Sequence, residues 1–340
     1  MANEAFRILC LDGGGIRGAF AASILASIEE RQLGGGPLVE NCDLIAGTST
    51  GALIALALAF GASPRRICEF YRDRGQAIFG SAAPIARWLR ALKRAVFAPY
   101  SSEALEGEIE NLIGRVSFGD ARKRLVLPSY NADLGNVHVF KYLFPQDRIA
   151  ASARGYRRED YDRFDSTRAA QVGAASSAAP TCFPARSVTF SIPHFYLDGG
   201  IWANSPIMPA LAEAIGPLGI DLRRVRVLSV GTRFEPIAVG TWRRIGGLLP
   251  WSVGAIGLLM NAQAAGAIGT ARWMLGKSAF LRLDESQGSK NQGRYASMSL
   301  DDVRSIRDLN RRGSALVDQK ASEIEQFLRD WHTGASAGDA

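Results

Sequence analysis

The sequence predicts an α/β fold of three layers, with a central, mainly parallel β-sheet covered by helices on both faces. Short apolar runs with the length of strands alternate with longer segments that have helical spacing. This alternation is typical of a parallel sheet whose crossover helices lie above and below it. The chain has 340 residues, 47% of them hydrophobic, which is enough for one large domain or for one domain with an extension.

The individual elements follow from the apolar runs and their spacing. FRILCL at residues 6–11 is an apolar run with the length of a strand, and helical spacing follows it. The run at 43–46 reads as a short buried strand, and ALIALALAF at 52–60 as a helix packed on every side. The predicted order is strand 6–11, helix 17–32, strand 43–46, helix 50–61, helix 64–77, a loop-rich stretch 79–100, helix 101–113, strands near 124–130 and 136–142, a charged loop 145–165, helix 167–176, strand 195–198, helix 204–215 and strand 224–230, with helices after it.

Gly47-Thr48-Ser49-Thr50-Gly51 has the form of a nucleophile elbow, a sharp strand-to-helix turn that carries a reactive serine. A serine held at a strained backbone angle leaves no room for side chains two residues away. Gly47 and Gly51 would therefore allow the strand and the helix to close up. The helix N-terminus behind Ser49 offers partial positive charge to a developing anion. The alternative is a tight turn whose serine caps a helix.

Asp12-Gly13-Gly14-Gly15-Ile16-Arg17-Gly18 places a glycine cluster at a second strand-to-helix junction. Such glycines can present backbone N–H groups to a phosphate or to the oxyanion of an acyl-transfer intermediate. A dinucleotide-binding loop needs an acidic residue about twenty positions on, at the end of a second strand. Asp43 instead begins the strand that leads into the elbow, and no G-K-[ST] indicates an NTPase. The serine elbow nearby favours the oxyanion hole.

Histidine is the usual base beside such a serine, but the three histidines fit poorly. In the order nucleophile, acid, histidine, only His332 follows Asp198, and it lies beside a tail of small and polar residues. His138 occupies an alternating, strand-like stretch and is expected to face solvent. His194 follows a proline in a predicted loop and stays a minor candidate.

Asp198 fits better, as a base that acts directly on Ser49. A short strand-like run precedes it, and Gly199-Gly200 after it allows a close approach to the serine loop. Burial in an apolar pocket would raise the pKa of this carboxylate toward the useful range. The alternative is an ordinary Asp-Gly turn.

Taken in this order, the DGGGIRG loop, the GTSTG elbow and the DGG carboxylate resemble the patatin-like phospholipases. The likeness covers roughly residues 6–235, and the rest to about residue 330 resembles the variable helical end of bacterial members. Three connecting segments also carry it: PSYNA at 128–132, AASSAAP at 174–180 with FP at 183–184, and WANSP at 202–206.

The resemblance implies a patatin-like three-layer α/β/α fold with a C-terminal helical extension, and acyl-ester hydrolysis without a metal or a cofactor. Its catalytic pair would be Ser49 and Asp198. Arg17 occupies the basic position of the family's glycine loop, where it is expected to orient the loop or to contact a lipid phosphate. The oxyanion hole would lie among Gly13, Gly14 and Gly15.

No repeat or linker divides the chain, and no apolar leader precedes the first strand. We expect a catalytic domain over 1–235, a helical part over 236–332 packed on the same domain, and a disordered tail over 333–340. The four cysteines show no metal-like spacing and are expected to be reduced core residues of a cytoplasmic protein. They lie at positions 10, 42, 68 and 182.

Charge and hydropathy point to an anionic surface as partner. The net charge is +7, and arginines are interleaved with apolar residues over 65–94, which suits an anionic bilayer, a phospholipid headgroup or an anionic nucleotide. The alternative is an ordinary solvated helix face. Residues 245–271 contain no charged side chain. Proline, polar and glycine residues interrupt the segment and suit a kinked pair of packed helices better than a membrane span. A lid or an interfacial docking element is therefore favoured there. No DNA-binding motif accompanies the charge, so DNA is not an expected partner.

Within the family, FRILCLDGGGIRGAFAASIL and ICEFYRDRG most resemble the bacterial anti-phage phospholipases that a cyclic nucleotide activates. This implies an enzyme that acts on phospholipid at the inner face of the cell membrane, binds a cyclic dinucleotide and forms a homo-oligomer on activation. Three alternatives stay open: a constitutive esterase, a non-catalytic binding protein, and a nucleotide-dependent enzyme that binds phosphate with its glycine loop.

Overall fold

The computed structural model describes residues 4–79, 100–190, 192–233, 255–285 and 305–333, and within them a single mixed β-sheet of eight strands. The order across the sheet is β5-β6-β3-β2-β1-β7-β8, and β4 also pairs with β3. The strands are β1 (Phe6–Leu11), β2 (Leu44–Gly47), β3 (Arg124–Asn131), β4 (Asn136–Tyr142), β5 (Arg186–Thr189), β6 (Pro193–Asp198), β7 (Val225–Val230) and β8 (Phe280–Leu283).

The sheet is mainly parallel, as predicted. Strands β3, β2, β1, β7 and β8 pair in parallel. β4 and β6 run antiparallel to β3, and β5 pairs antiparallel with β6 toward one edge of the sheet. Two strands of four residues, β5 and β8, were not predicted, because a run this short carries little periodic signal. His194 lies in β6 rather than in the predicted loop.

The helices confirm most of the predicted alternation, with one correction. The segment 145–165 is not a continuous loop, because Pro145 starts a helix and the Asp147 carboxylate accepts the N–H of Phe144 at 3.1 Å. The α-helices are α1 (Gly18–Gln32), α2 (Thr50–Ala59), α3 (Pro64–Phe79), α4 (Ser102–Ile113), α5 (Pro145–Ala153), α6 (Glu159–Asp162), α7 (Ala169–Ser176), α8 (Gly200–Ala203), α9 (Ile207–Ile215), α10 (Ala255–Leu275), α11 (Ile306–Gln319) and α12 (Ala321–Thr333).

Helices bury both faces of the sheet and produce the expected three layers. In β1, Leu9 and Leu11 pack on the side of α1, α2, α4, α7, α11 and α12. Ile8 and Cys10 point to the opposite face, where α9 and α10 cover them. Successive side chains of a strand point to opposite faces, so a continuous apolar run supplies two cores at once. None of the four cysteines forms a disulfide. Those at 10 and 42 are buried core residues as predicted, whereas those at 68 and 182 are half-buried.

Strand β3 brings two distant segments together, because it is longer than its neighbour β2. β4 pairs with β3 along residues 125–131 and therefore occupies one whole edge of it. On the other edge β2 pairs only as far as Val126, and the antiparallel β6 pairs from Asn131 back to Ser129. The carboxyl ends of β2 and β6 therefore meet at one place. β2 ends at Gly47 and β6 ends at Asp198.

The uncharged segment 245–271 was expected to form a kinked pair of packed helices. Its described part lies in one continuous helix, α10, and residues 245–254 lie outside the described residues. Across the described ranges, no helix has the length and apolarity that a membrane crossing requires. Of the predicted loop-rich stretch 79–100 and the arginine-rich segment 65–94, residues 80–99 also lie outside the described part.

The close packing of the elbow against β1 predicts the effect of one substitution. A Cβ atom at Gly51 would collide with the backbone carbonyl of Leu11. Backbone cannot move aside as a flexible side chain can, so Gly51→Ala should lower the free energy of unfolding by at least about 2 kcal/mol. Gly107→Ala is the matched control, because Gly107 lies within α4 with open space around it. Urea denaturation should show this control unchanged or more stable by up to about 1 kcal/mol.

Candidate active site

Ser49 has the strained conformation predicted for the serine of an elbow. It lies between β2 and α2 with φ 55° and ψ −124°, a left-handed backbone that a side chain rarely adopts. Its neighbours hold it there, because the Thr48 hydroxyl donates to the carbonyl of Ala203 at 2.6 Å and the Ser177 hydroxyl donates to the Ser49 carbonyl at 2.9 Å. A Cβ at Gly47 would meet the backbone of Gly51, so both glycines permit the close approach.

Asp198 lies at the end of β6, close enough to the Ser49 hydroxyl for that group to stabilise the charged carboxylate. The carboxylate is 3% exposed, and it also accepts the N–H of Gly200 at 2.6 Å. Its own N–H donates to the carbonyl of Ala178 at 3.0 Å, and that of Gly199 donates to Ser176 at 3.3 Å. Two segments noted only for their family likeness, 174–180 and 202–206, therefore hold the elbow and this carboxylate in position.

The environment of Asp198 suits a group that exchanges a proton near neutral pH. Burial raises the pKa of its carboxyl to about 6, against the opposing effect of the hydrogen bonds from Ser49 and Gly200. At neutral pH the group is therefore mostly ionised, yet it is more basic than an exposed aspartate. Such a carboxylate can take the proton of a hydroxyl to which it is already hydrogen-bonded.

The three predicted glycines of the oxyanion hole differ in their hydrogen bonds. The N–H of Gly13 donates to the carbonyl of Asn204 at 2.9 Å and so fixes the loop to α8. Within the described ranges, the N–H groups of Gly14 and Gly15 meet no acceptor in the protein. These two groups can therefore donate to an external oxygen, whereas Gly13 holds the loop.

Side chains on three sides fix the shape of the glycine loop. The Thr232 hydroxyl donates to the Gly13 carbonyl at 2.6 Å, and a Cβ at Gly14 would collide with Thr232. Arg17 donates to the carbonyls of Gly14 and Arg233, both at 3.3 Å. Two roles were predicted for Arg17, and these contacts correspond to the first, which is to orient the loop.

A buried ion pair beneath the glycine loop was not predicted from the sequence. Asp12 is 2% exposed, and its carboxylate accepts from Arg282 of β8 at 2.5 Å. Arg282 also donates to Asp284 at 2.7 Å and to Ser229 at 2.7 Å. The short apolar run AFLRL contains a single arginine, and an isolated charge in a buried strand requires a partner. This pattern could have indicated the ion pair.

The described histidine side chains lie away from Ser49. His138 is not solvent-facing as predicted: it packs against Phe140, Phe164 and Tyr196, with ring centroids 4.7–5.4 Å away. Burial lowers its pKa to about 4. His194 precedes Asp198 by four residues along β6, and its Nδ1 lies 3.6 Å from Asp133.

Sequence comparison agrees with the geometry. A family model described as patatin-like phospholipase matches residues 9–211, which include the glycine loop, the elbow and Asp198. The chain belongs to the patatin-like phospholipase family. It is therefore a hydrolase of carboxylic esters, and the fold is the patatin fold that was expected.

Curated relatives include phospholipases named for their activators. A protein of Vibrio cholerae named cGAMP-activated phospholipase is 31% identical over 278 residues, covering 76% of this chain and 74% of the relative. A protein of the same name from Escherichia coli is 33% identical over 238 residues, covering 66% and 62%. The crystal structure of VipD from Legionella pneumophila aligns with 96% of this chain and over 79% of the VipD chain. Its identity of 13% and TM-score of 0.35 are too low to support a conclusion.

The raised pKa of Asp198 predicts how protein stability changes with pH. An aspartate in an unfolded chain has a pKa near 3.9, whereas that of Asp198 is about 6 when folded. The folded state therefore loses stability as the pH rises through 6, because it must bury a charge. Asp198→Asn removes that cost. The free energy of unfolding of the variant, minus that of the parent, should therefore rise by about 1 kcal/mol as the pH increases from about 5 to about 8.

Urea denaturation at several pH values measures this difference, with Asp221→Asn as control. Hydrogen bonding to Arg223 lowers the pKa of Asp221 to about 2. The titration of Asp221 therefore changes the free energy of unfolding only below about pH 5. A flat pH dependence for Asp198→Asn, like that of the control, would contradict the burial of a charged carboxylate at this site.

Proposed function

We propose that this protein hydrolyses the ester-linked acyl chains of membrane phospholipids with Ser49 as nucleophile and Asp198 as general base. Asp198 takes the hydroxyl proton as the Ser49 oxygen attacks the ester carbonyl. The tetrahedral intermediate collapses, and the proton passes to the leaving alcohol, which leaves an acyl-enzyme. Water activated by the same carboxylate then releases the fatty acid.

The observation that carries this proposal is the position of the Ser49 hydroxyl beside a buried carboxylate, that of Asp198, whose pKa is about 6. It supplies the nucleophile and its base in one contact. The N–H groups of Gly14 and Gly15 support it further, because they have no acceptor among the described residues. We assign the oxyanion hole to these two groups, with Arg17 and Gly13 as positioning residues.

Substitution of the proposed pair should abolish hydrolysis while leaving the fold intact. Ser49→Ala and Asp198→Ala should each lower kcat for a short-chain ester by at least about a thousandfold, because the two groups act as one unit. His138→Ala and His194→Ala are the controls and should retain activity. If a histidine variant were as inactive as Ser49→Ala while folded, the serine–aspartate assignment would be wrong.

The pH dependence of hydrolysis should follow the base. Only the ionised carboxylate accepts a proton, so kcat/KM should rise with pH, with a midpoint near the Asp198 pKa of about 6, and level off above it. Initial rates on a soluble ester across the pH range measure this midpoint. A midpoint near the ordinary aspartate value of about 4 would indicate a different base.

We further propose that a cyclic dinucleotide activates the enzyme as part of bacterial anti-phage defence, at the cytoplasmic face of the membrane and with assembly into an oligomer. Support comes from the relatives named cGAMP-activated phospholipase and from a relative of Escherichia coli named cUMP-AMP-activated phospholipase, 30% identical over 233 residues. The net charge of +7 suits both an anionic ligand and an anionic bilayer. The competing candidate is a constitutive lipase, which the intact site would equally support.

A panel of cyclic dinucleotides should separate these two candidates. Fatty-acid release from phospholipid vesicles should rise at least about tenfold with one member of the panel, since a ligand that prefers the active state shifts the population toward it. Sedimentation should show larger assemblies with the same compound. Full activity without any nucleotide, unchanged by every member of the panel, would establish the constitutive lipase instead.

A further inference from the structure

A pocket of about 330 Å³ opens between two neighbouring hairpins at the antiparallel edge of the sheet, outside the catalytic site. One hairpin joins β3 to β4 and the other joins β5 to β6. Asn131, His138 and Tyr196 line its floor, and Arg163, which follows α6, lines its wall.

Three buried nitrogen atoms in this pocket have no hydrogen-bond partner among the residues that the structure describes. They are Nε2 of His138, Nε of Arg163 and Nδ1 of His194. Buried polar atoms are nearly always paired, so three unpaired atoms around one cavity indicate that a ligand supplies the missing partner.

Arg163 determines the charge that such a ligand should carry. Its guanidinium lies over the ring of Phe190 at 5.1 Å, and it forms no ion pair with any described residue. Asp133 is the acidic group nearest His194, at 3.6 Å, but its carboxylate accepts the N–H of Phe195 at 2.7 Å. A phosphate would satisfy Arg163, because its oxygens accept from guanidinium and imidazole donors alike.

Large apolar side chains surround the mouth of the pocket and are exposed to solvent. They come from the tips of both hairpins, and between 52% and 61% of each is accessible. Contiguous apolar surface of this kind marks a contact with a partner or a membrane. Protruding apolar tips around a cationic pocket match a bilayer, in which acyl chains lie beneath a layer of phosphates. The side chains are Leu134, Val137, Phe190 and Ile192.

The pocket lies on the same side of the sheet and toward the same end as the proposed catalytic pair. β3 extends past Ser129, which pairs with Asp198, and its turn lies beyond that level. His194, Tyr196 and Asp198 alternate along β6 and so share a face. Tyr196, the pocket residue of β6 nearest to Asp198, lies two residues from it, a distance of about 7 Å along the strand.

We propose that the two hairpins dock the enzyme on anionic membranes, with the apolar tips in the acyl region and a phospholipid phosphate in the pocket beside Arg163. This docking rests on the proposed phospholipase function, since it brings Ser49 to the surface that holds its substrate. The lipid in the pocket is a second molecule, distinct from the one hydrolysed.

Vesicle sedimentation tests the docking independently of catalysis, in a Ser49→Ala background that leaves the lipid intact. The vesicles contain phosphatidylcholine alone or with phosphatidylglycerol. Arg163→Gln should weaken binding to the anionic vesicles about fivefold and binding to the neutral ones less, because the choline cation of phosphatidylcholine offsets the charge of its phosphate. Phe190→Ser with Ile192→Ser should weaken binding to both about tenfold, and Leu134→Ser on the other hairpin should act in the same direction.

Two exposed residues elsewhere provide matched controls. Arg223 precedes β7 at the opposite end of the parallel strands, and Ile149 lies on α5, 65% exposed. Arg223→Gln and Ile149→Ser remove the same charge and an equally exposed apolar side chain, and both should bind like the parent. The melting temperature of each variant verifies that it is folded.

Two results would overturn the docking surface. One is parental vesicle binding by Arg163→Gln and by both hairpin variants. The other is loss of cyclic dinucleotide binding in Arg163→Gln without vesicles, with vesicle binding retained, which would make the pocket a site for a soluble ligand. Failure of the proposed function would appear separately, as ester hydrolysis that persists in Ser49→Ala.

Discussion

The difference in length between β2 and β3 is the constraint from which the rest of the site follows. A parallel sheet normally continues each strand beside its neighbour, but β2 stops after four residues and β3 continues to Asn131. The free edge is filled by β6, which runs in the opposite direction. Two strands then end face to face, and the residues after one reach the last residue of the other. Ser49 and Asp198 are 149 positions apart in sequence, yet this arrangement places the serine hydroxyl beside the carboxylate.

The site also shows how burial is balanced against charge. Removal of water makes Asp198 more basic, and two hydrogen bonds keep it from remaining protonated at neutral pH. The glycine loop offers N–H groups on the opposite side, in place of the water that a developing oxyanion would otherwise need. The strained backbone of Ser49 is stabilised by its neighbours rather than by its own conformation. The buried carboxylate, the N–H groups without acceptors and the strained serine would each destabilise an isolated segment. Packing against the sheet holds all three in place.

The sequence was sufficient where a feature is encoded by adjacent residues. The elbow, the glycine loop and the DGG aspartate are such motifs, and the alternation of strands and helices follows from local periodicity. Contacts across the fold were not accessible in this way. For example, the Gly13 N–H donates to the carbonyl of Asn204 only because α8 lies beside the glycine loop. His138 was expected to face water, because strand alternation identifies two faces without showing which one receives the aromatic side chains of other segments.

The ion pair between Asp12 and Arg282 has a consequence for how such enzymes can be recombined. The family match ends at residue 211, yet the aspartate that begins the glycine loop is neutralised from β8, some seventy residues further on. A chimera that joined this catalytic segment to the C-terminal part of a relative without a matching cation would leave a carboxylate buried and uncompensated. Loss of one partner of a buried pair costs about 3–5 kcal/mol, a large share of a typical domain's stability. In this protein the C-terminal part therefore supplies a charge that the catalytic segment requires.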